Sequence, residues 1–191
     1  MDGDLCPLRE IVNLKEQHGA LLLLDEAHAL GILGPTGQGL AEELNLQAQI
    51  DFQMGTLGKA IGSAGGYLAA TQPWIDLLIN KARSLIYSTA PPPAQTAASL
   101  AGLNLLQSPE GQAARATLLK HCAAFNSSTP IIPHHLGENS HALEKSQQLL
   151  DQGYLVPAIR FPTVPRGTAR LRITLTAAHT PQHISDLQKL L

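Results

Sequence analysis

Only two cysteines occur in the chain, Cys6 and Cys122, and no C-x-x-C pair is present. That argues against a disulfide scaffold and suits a reducing compartment. Lysine and arginine nowhere cluster. Thirteen basic residues stand against 15 acidic ones for a net charge of −2, so the basic patch of a nucleic-acid surface is missing. Long apolar runs are also missing: the longest, residues 20–24, is far too short to span a bilayer, and the first residues lack the pattern of a signal peptide. With 44% hydrophobic and 15% charged residues over 191 positions, disorder is disfavoured and a packed core is affordable. The expectation is a soluble, cytoplasmic α/β protein of one ordinary domain or two small ones, with no membrane and no nucleic acid among its partners.

A further absence decides how one motif is read. Residues 21–28 run LLLLDEAH, and D-E-A-H letters in nucleic-acid helicases serve a magnesium nucleotide. That chemistry also needs a G-x-x-x-x-G-K-S/T loop to cradle phosphates. None occurs. Gly55-Thr56-Leu57-Gly58-Lys59-Ala60 has the wrong glycine spacing, and Ala60 has no hydroxyl for a metal ion. A helicase is excluded.

What is present alternates helices and strands. Leu8, Ile11, Val12 and Leu14 recur at helical spacing after Pro7, and Gly19 suits a C-terminal cap. The apolar run that follows reads as a strand over 20–25, buried on both faces as in a parallel sheet, with Asp25 at its carboxyl end, where open α/β sheets place ligands. Next come a glycine-rich loop at 31–39, a short helix over 40–46, strands over 50–56 and 65–71, a helix over 73–84 and another long helix opened by Pro91-Pro92-Pro93. Ser108-Pro109-Glu110 reads as the cap of a further helix and as a domain change. Beyond it the expected order is a strand at 131–132, a helix over 140–152, a strand near 154–159, the loop PTVPRGT, a strand over 170–174 and a helix after Pro181. Met1-Asp2-Gly3-Asp4-Leu5-Cys6-Pro7 does not resemble a natural beginning, because a helix starts at once; the chain is expected to enter its fold midway.

Two residues stand out chemically. Lys59 lies among Gly55, Gly58, Gly62, Gly65 and Gly66, which let backbone turn tightly and approach a bulky ligand, and Asp25 ends a strand. A lone lysine in such a loop is most often merely solvated. The pair is different: pyridoxal phosphate needs a lysine for its Schiff base and a carboxylate to keep its ring nitrogen protonated.

LLLDEAHALGILGPTGQG followed by GTLGKAIGSAGGYLAAT resembles the α-oxoamine synthases, pyridoxal-phosphate enzymes of aminotransferase fold type I. YSTAPPPAQ and RFPTVPRGTARLR look most like the family's biotin-pathway member. The resemblance implies part of the fold type I large domain over 1–107 and the small C-terminal α/β domain over 108–191. It implies pyridoxal 5'-phosphate as cofactor, with Lys59 as the Schiff-base lysine, Asp25 on the ring nitrogen, His28 near the phenolic oxygen and Thr56 helping to hold the phosphate. Thr163 matches a substrate-contacting threonine and Arg172 the arginine that grips the amino acid's carboxylate, with Arg170 expected to face away. Ser88 and Thr89 would reach the phosphate of a partner subunit in a homodimer with shared active sites. The implied reaction is decarboxylative condensation of L-alanine with a pimeloyl thioester, carried on CoA or on a carrier protein. The alternatives are a sister synthase using glycine and a shorter acyl-CoA, such as a glycine C-acetyltransferase, or a non-catalytic remnant.

The chain also departs from the family. An upstream part of the large domain is absent, with its ring-stacking histidine and much of the phosphate loop, and the stretch around Asn126-Ser127-Ser128 is shorter. The remaining polar residues have plainer readings. Glu26 is expected to be structural. His134 and His135 are placed in a loop and His141 at a helix start, with no metal site expected. His179 and His183 are separated by Pro181 and not expected to share a helical face. Tyr87 could be core or a ligand contact.

Overall fold

The computed structural model describes residues 1–191. It divides into two compact units, Cys6–Gln112 and a second made of Met1–Leu5 with Ala113–Leu191.

The first unit opens with α1 (Leu8–His18), which buries Leu8 and Val12 and closes on Gly19 in the left-handed region at φ 57°. Glycine adopts that φ without penalty. β1 follows as Leu23–Asp25, shorter than the expected strand. It pairs in parallel with β2 (Phe52–Thr56), and β2 pairs antiparallel with β3 (Gly66–Ala70), so the sheet is mixed, in the order β1-β2-β3. The expected burial of β1 on both faces fails. Leu24 joins a core with Leu8, Val12, Leu33, Leu40, Ala41 and Leu46, but Leu21 and Leu23 are 57% and 56% exposed on the opposite face. β1 is an edge strand here, and no element of its own unit covers that face.

The glycine-rich loop 31–39 is wrapped around two buried carboxylates. Glu42, in α2 (Leu40–Glu43), accepts from the backbone N–H groups of Thr36 and Gln38 and from the Thr36 hydroxyl at 2.6 Å. Glu26 accepts from the N–H groups of Leu40 and Ala41 at 3.0 and 2.9 Å, satisfying donors that the start of a helix leaves unpaired. A Cβ on Gly39 would lie 2.5 Å from the Glu26 carboxyl carbon, and φ there is 123°, so only glycine fits. Glu26 is structural, as expected. The unit is completed by a short 3-10 turn at Gln47–Gln49, by α3 (Gln72–Lys81), whose Trp74 ring packs on Phe52, and by α4 (Pro93–Gln107). Tyr87 has φ 67° and is fully exposed, which removes it from the core.

α5 (Pro109–Ala124) spans the division between the units, and Ser108 Oγ caps it by accepting from the Gly111 N–H at 3.2 Å. The second unit is an antiparallel sheet in the order β4-β6-β5, built from β4 (Ile131–Gly137), β5 (Ala158–Ile159) and β6 (Ala169–Thr174). His134 and His135 are therefore strand residues, not loop residues. Sequence reasoning missed this because Pro133 interrupts the apolar pattern. β5 is only the end of the strand expected near 154–159. α6 (Asn139–Asp151) packs against all three strands, and α7 (Pro181–Leu190) begins with a capping box between Thr180 and His183. Leu171 and Ile173, on the central strand, are almost wholly buried.

Candidate active site

Asp25 and Thr56 are the last residues of two adjacent parallel strands. Asp25 lies opposite Met54, and Thr56 is two residues further along β2. Side chains alternate faces with period two and paired residues share a face, so both point to the same side, at the carboxyl ends of the strands. Asp25 Oδ1 accepts from the Ala27 N–H at 2.8 Å, which fixes the carboxylate at the turn. His28 is exposed in the turn that follows.

Lys59 sits in the connection between β2 and β3, and its Nζ donates to Thr56 Oγ1 at 3.1 Å. The connection is held from both ends. The Leu57 N–H donates to Gly65 O at 2.9 Å and the Ser63 N–H to Leu57 O at 2.8 Å. α4 supports it from beneath: Gln95 donates to Ala64 O at 2.9 Å, and Ser99 Oγ donates to Ser63 Oγ at 2.8 Å. Ile61 is buried, and its carbonyl passes so close to α4 that a Cβ on Gly102 would lie 2.2 Å from it. The backbone under Lys59 is therefore fixed while the amine is exposed. Sequence reasoning missed Ser63, Gln95, Ser99 and Gly102, since nothing local marks a helix residue that braces a distant loop. Tyr67 was missed too. Its ring lies over Gly55, and burial first, then the nearby Glu26 carboxylate, push the phenol's pKa up.

Thr163 and Arg172 belong to the second unit. Thr163 is exposed in the turn after the cis Phe161–Pro162 bond, where its N–H donates to Arg160 O at 2.9 Å. Arg172 is half-buried on β6, and its Nε is buried without a hydrogen-bond partner. The expectation that Arg170 faces away is wrong. Residues two apart on a strand share a face, and Arg170 differs from Arg172 in being engaged, by the Asp2 carboxylate and by Thr168 O at 3.0 Å.

The second unit also contains a cavity of about 420 Å³ lined by Tyr154, Val156, Ile173, Leu175, His179 and His183. None of the sequence-predicted site residues borders it. The two histidines do come together, with ring centroids 6.4 Å apart, but only because His179 lies ahead of the helix. Their Nδ1 atoms accept from the N–H groups of Thr176 and Thr180. No cluster of three or more His, Cys, Asp or Glu is placed to hold a metal.

The sequence matches the model of the aminotransferase class I and II family over residues 1–190. The chain belongs to this family. An 8-amino-7-oxononanoate synthase of Geobacter sulfurreducens is 48% identical over 201 residues, covering 99% of this chain and 51% of that protein. One from Bordetella petrii is 47% identical, covering 98% and 50%. The chain thus spans about half the length of the curated relatives it matches. Among solved structures, the serine palmitoyltransferase of S. paucimobilis with a bound PLP-myriocin aldimine superposes with a TM-score of 0.92 at 30% identity, covering all of this chain and 51% of that one. The 8-amino-7-oxononanoate synthase of Francisella tularensis gives 0.86 at 26% identity, covering 100% and 58%. The family fold is that of the fold type I pyridoxal-phosphate enzymes, and no helix is long and apolar enough to cross a membrane.

Proposed function

We propose that this chain carries the lysine-bearing part of a pyridoxal-phosphate-dependent 8-amino-7-oxononanoate synthase, which condenses L-alanine with a pimeloyl thioester and releases carbon dioxide. The observation that carries the reading is the grouping of Lys59, Thr56 and Asp25. An exposed amine is hydrogen-bonded to a hydroxyl at one strand end, and a carboxylate ends the neighbouring strand on the same face. The donor set suits the cofactor: an amine for its aldehyde, a carboxylate for its ring nitrogen, a hydroxyl for its phosphate. His28 adds a donor for the phenolic oxygen. When bound, pyridoxal phosphate supplies an electron sink for charge developing at the α-carbon of the amino acid.

Lys59 would hold the cofactor through Nζ, and the same amine would accept the α-proton of alanine. Asp25 would keep a proton on the ring nitrogen. Arg172 grips the substrate carboxylate, for which a guanidinium offers two parallel bonds, and Thr163 contacts the substrate. Identities of 46–48% to several 8-amino-7-oxononanoate synthases favour alanine and a pimeloyl thioester over glycine and a shorter acyl group. A homodimer with Ser88 and Thr89 reaching the partner's phosphate completes the proposal.

The half-length match favours one second reading, a remnant without activity of its own. The two are separated by assaying the chain alone and the chain joined to the upstream segment of a relative. Alanine-dependent carbon dioxide release with pimeloyl-CoA or a pimeloyl carrier protein in the joined form is expected. Release with glycine and acetyl-CoA instead, or in neither form, would overturn the proposal.

A further inference from the structure

Arg170 and Arg172 stand on one face of β6, their Cα atoms about 7 Å apart along the strand. Both could bind the same carboxylate, and as like charges they repel. Asp2 distinguishes them. The segment Met1–Leu5 belongs to the second unit, where Gly3 lies so close to β4 that a Cβ would fall 2.0 Å from Ile131 O, and Thr129 Oγ1 donates to Gly3 O at 2.7 Å. This anchoring presents the Asp2 carboxylate to Arg170, whose side chain is only 10% exposed. Arg170 Nε donates in addition to Thr168 O. Arg172 has no such clamp, and its buried Nε is without a partner. Asp2 keeps a second buried oxygen, Oδ1, also without a donor, so Arg170 is the cation to which its charge is committed.

We propose that Asp2 is a positioning residue: by pairing with Arg170 it withdraws that guanidinium from the β6 face and leaves Arg172 as the one arginine offered to the amino acid's carboxylate. The inference rests on the reading of Arg172 as the carboxylate-binding residue. It adds a role for a residue remote in sequence, and gives the reason one of two equivalent-looking arginines is selected.

The test follows the arginine Nε–H resonances of the chain, joined to the upstream segment of a relative and loaded with pyridoxal phosphate, by NMR while L-alanine is added, in unaltered protein, R172Q, D2N and the double variant D2N/R170Q. In unaltered protein the Arg172 resonance should move and the Arg170 resonance should stay. In D2N the Arg170 resonance should shift before any alanine is added and then respond to it. D2N/R170Q should return the whole response to Arg172, a rescue that a merely structural Asp2 would not give. Should D2N prove unfolded by its thermal transition, D2E keeps the charge and should behave as unaltered protein, while R170Q alone should leave the Arg172 response intact. No Arg172 response in unaltered protein, or a full alanine response in R172Q, overturns both the reading of Arg172 and the inference. Loss of response in R172Q with D2N behaving as unaltered protein overturns the inference alone, as does a double variant no better than D2N.

Discussion

The two sheets each have three strands, yet they solve different problems. The β4-β6-β5 sheet is antiparallel, its central strand is buried along most of its length, and α6 packs on all three strands. The β1-β2-β3 sheet is mixed, ends in an edge strand, and leaves Leu21 and Leu23 open on one face while Asp25 and Lys59 stand exposed at the ends and connection of its strands. One sheet closes its own core. The other presents chemistry on an uncovered apolar surface, as expected of a sheet whose remaining cover comes from further polypeptide. Large exposed apolar patches favour association, in line with the proposed dimer.

The sharpest way to break this contrast is to cut equivalent leucines from each sheet. Leu171→Ala should destabilise the chain by about 2–5 kcal/mol in urea unfolding, the usual range for emptying a buried leucine site. Leu23→Ser in the chain alone should change stability by less than about 0.5 kcal/mol, as exposed substitutions do. In the chain joined to the upstream segment of a relative, the same change should cost about 1.5–3 kcal/mol, the value of burying a leucine. Equal small effects of Leu23→Ser in both forms would show that nothing covers β1.

A smaller effect tests the glycine loop. Gly39→Ala puts a methyl group against the Glu26 carboxylate at a φ that L residues rarely adopt. It should lower stability by on the order of 1–3 kcal/mol, measured as a drop in the urea midpoint without a change in slope. An unchanged midpoint would mean that Glu26 is not fixed at the start of α2.

The smallest effect lies in the second unit and depends on pH. Burial, followed by the charges of His183 and His121, lowers the pKa of His179, while Asp186 and Lys189 on α7 are the other charged groups near this cluster. A histidine whose folded-state pKa is depressed binds fewer protons folded than unfolded. Its contribution to stability is therefore complete above about pH 6.5, the unfolded value, and is lost as pH falls through the lower folded value. Unfolding midpoints should decline between pH 7 and pH 5, and His179→Gln should flatten that decline. An unchanged slope in the variant would place the pH dependence elsewhere; His134, lowered by burial, Lys145 and His135, is the next candidate.

Much of this was legible in the sequence where the signal was local. Pro7 and Gly19 bracket α1, glycines flank Lys59, and Asp25 closes an apolar run; each is a short-range pattern with one physical meaning. What was not legible depended on partners distant in the chain. Leucines 21–24 read as buried on both faces because composition does not say which cover a given chain includes. Pro133 concealed a seven-residue strand whose ladder is set by β6. The bracing of the lysine loop by Ser99 and Gln95, and the capture of Arg170 by Asp2 across 168 positions, are properties of the folded chain alone.

The central claim is that Lys59 is the residue that holds the cofactor. Incubating the chain, alone and joined to the upstream segment of a relative, with pyridoxal phosphate, reducing with borohydride and mapping peptides tests it directly. The joined form should gain absorbance beyond the protein band before reduction and carry a single pyridoxyl group on Lys59 afterwards, with the chain alone labelled weakly at the same residue. A pyridoxyl group on Lys81 or Lys120 in place of Lys59, or no specific label in the joined form, would contradict it.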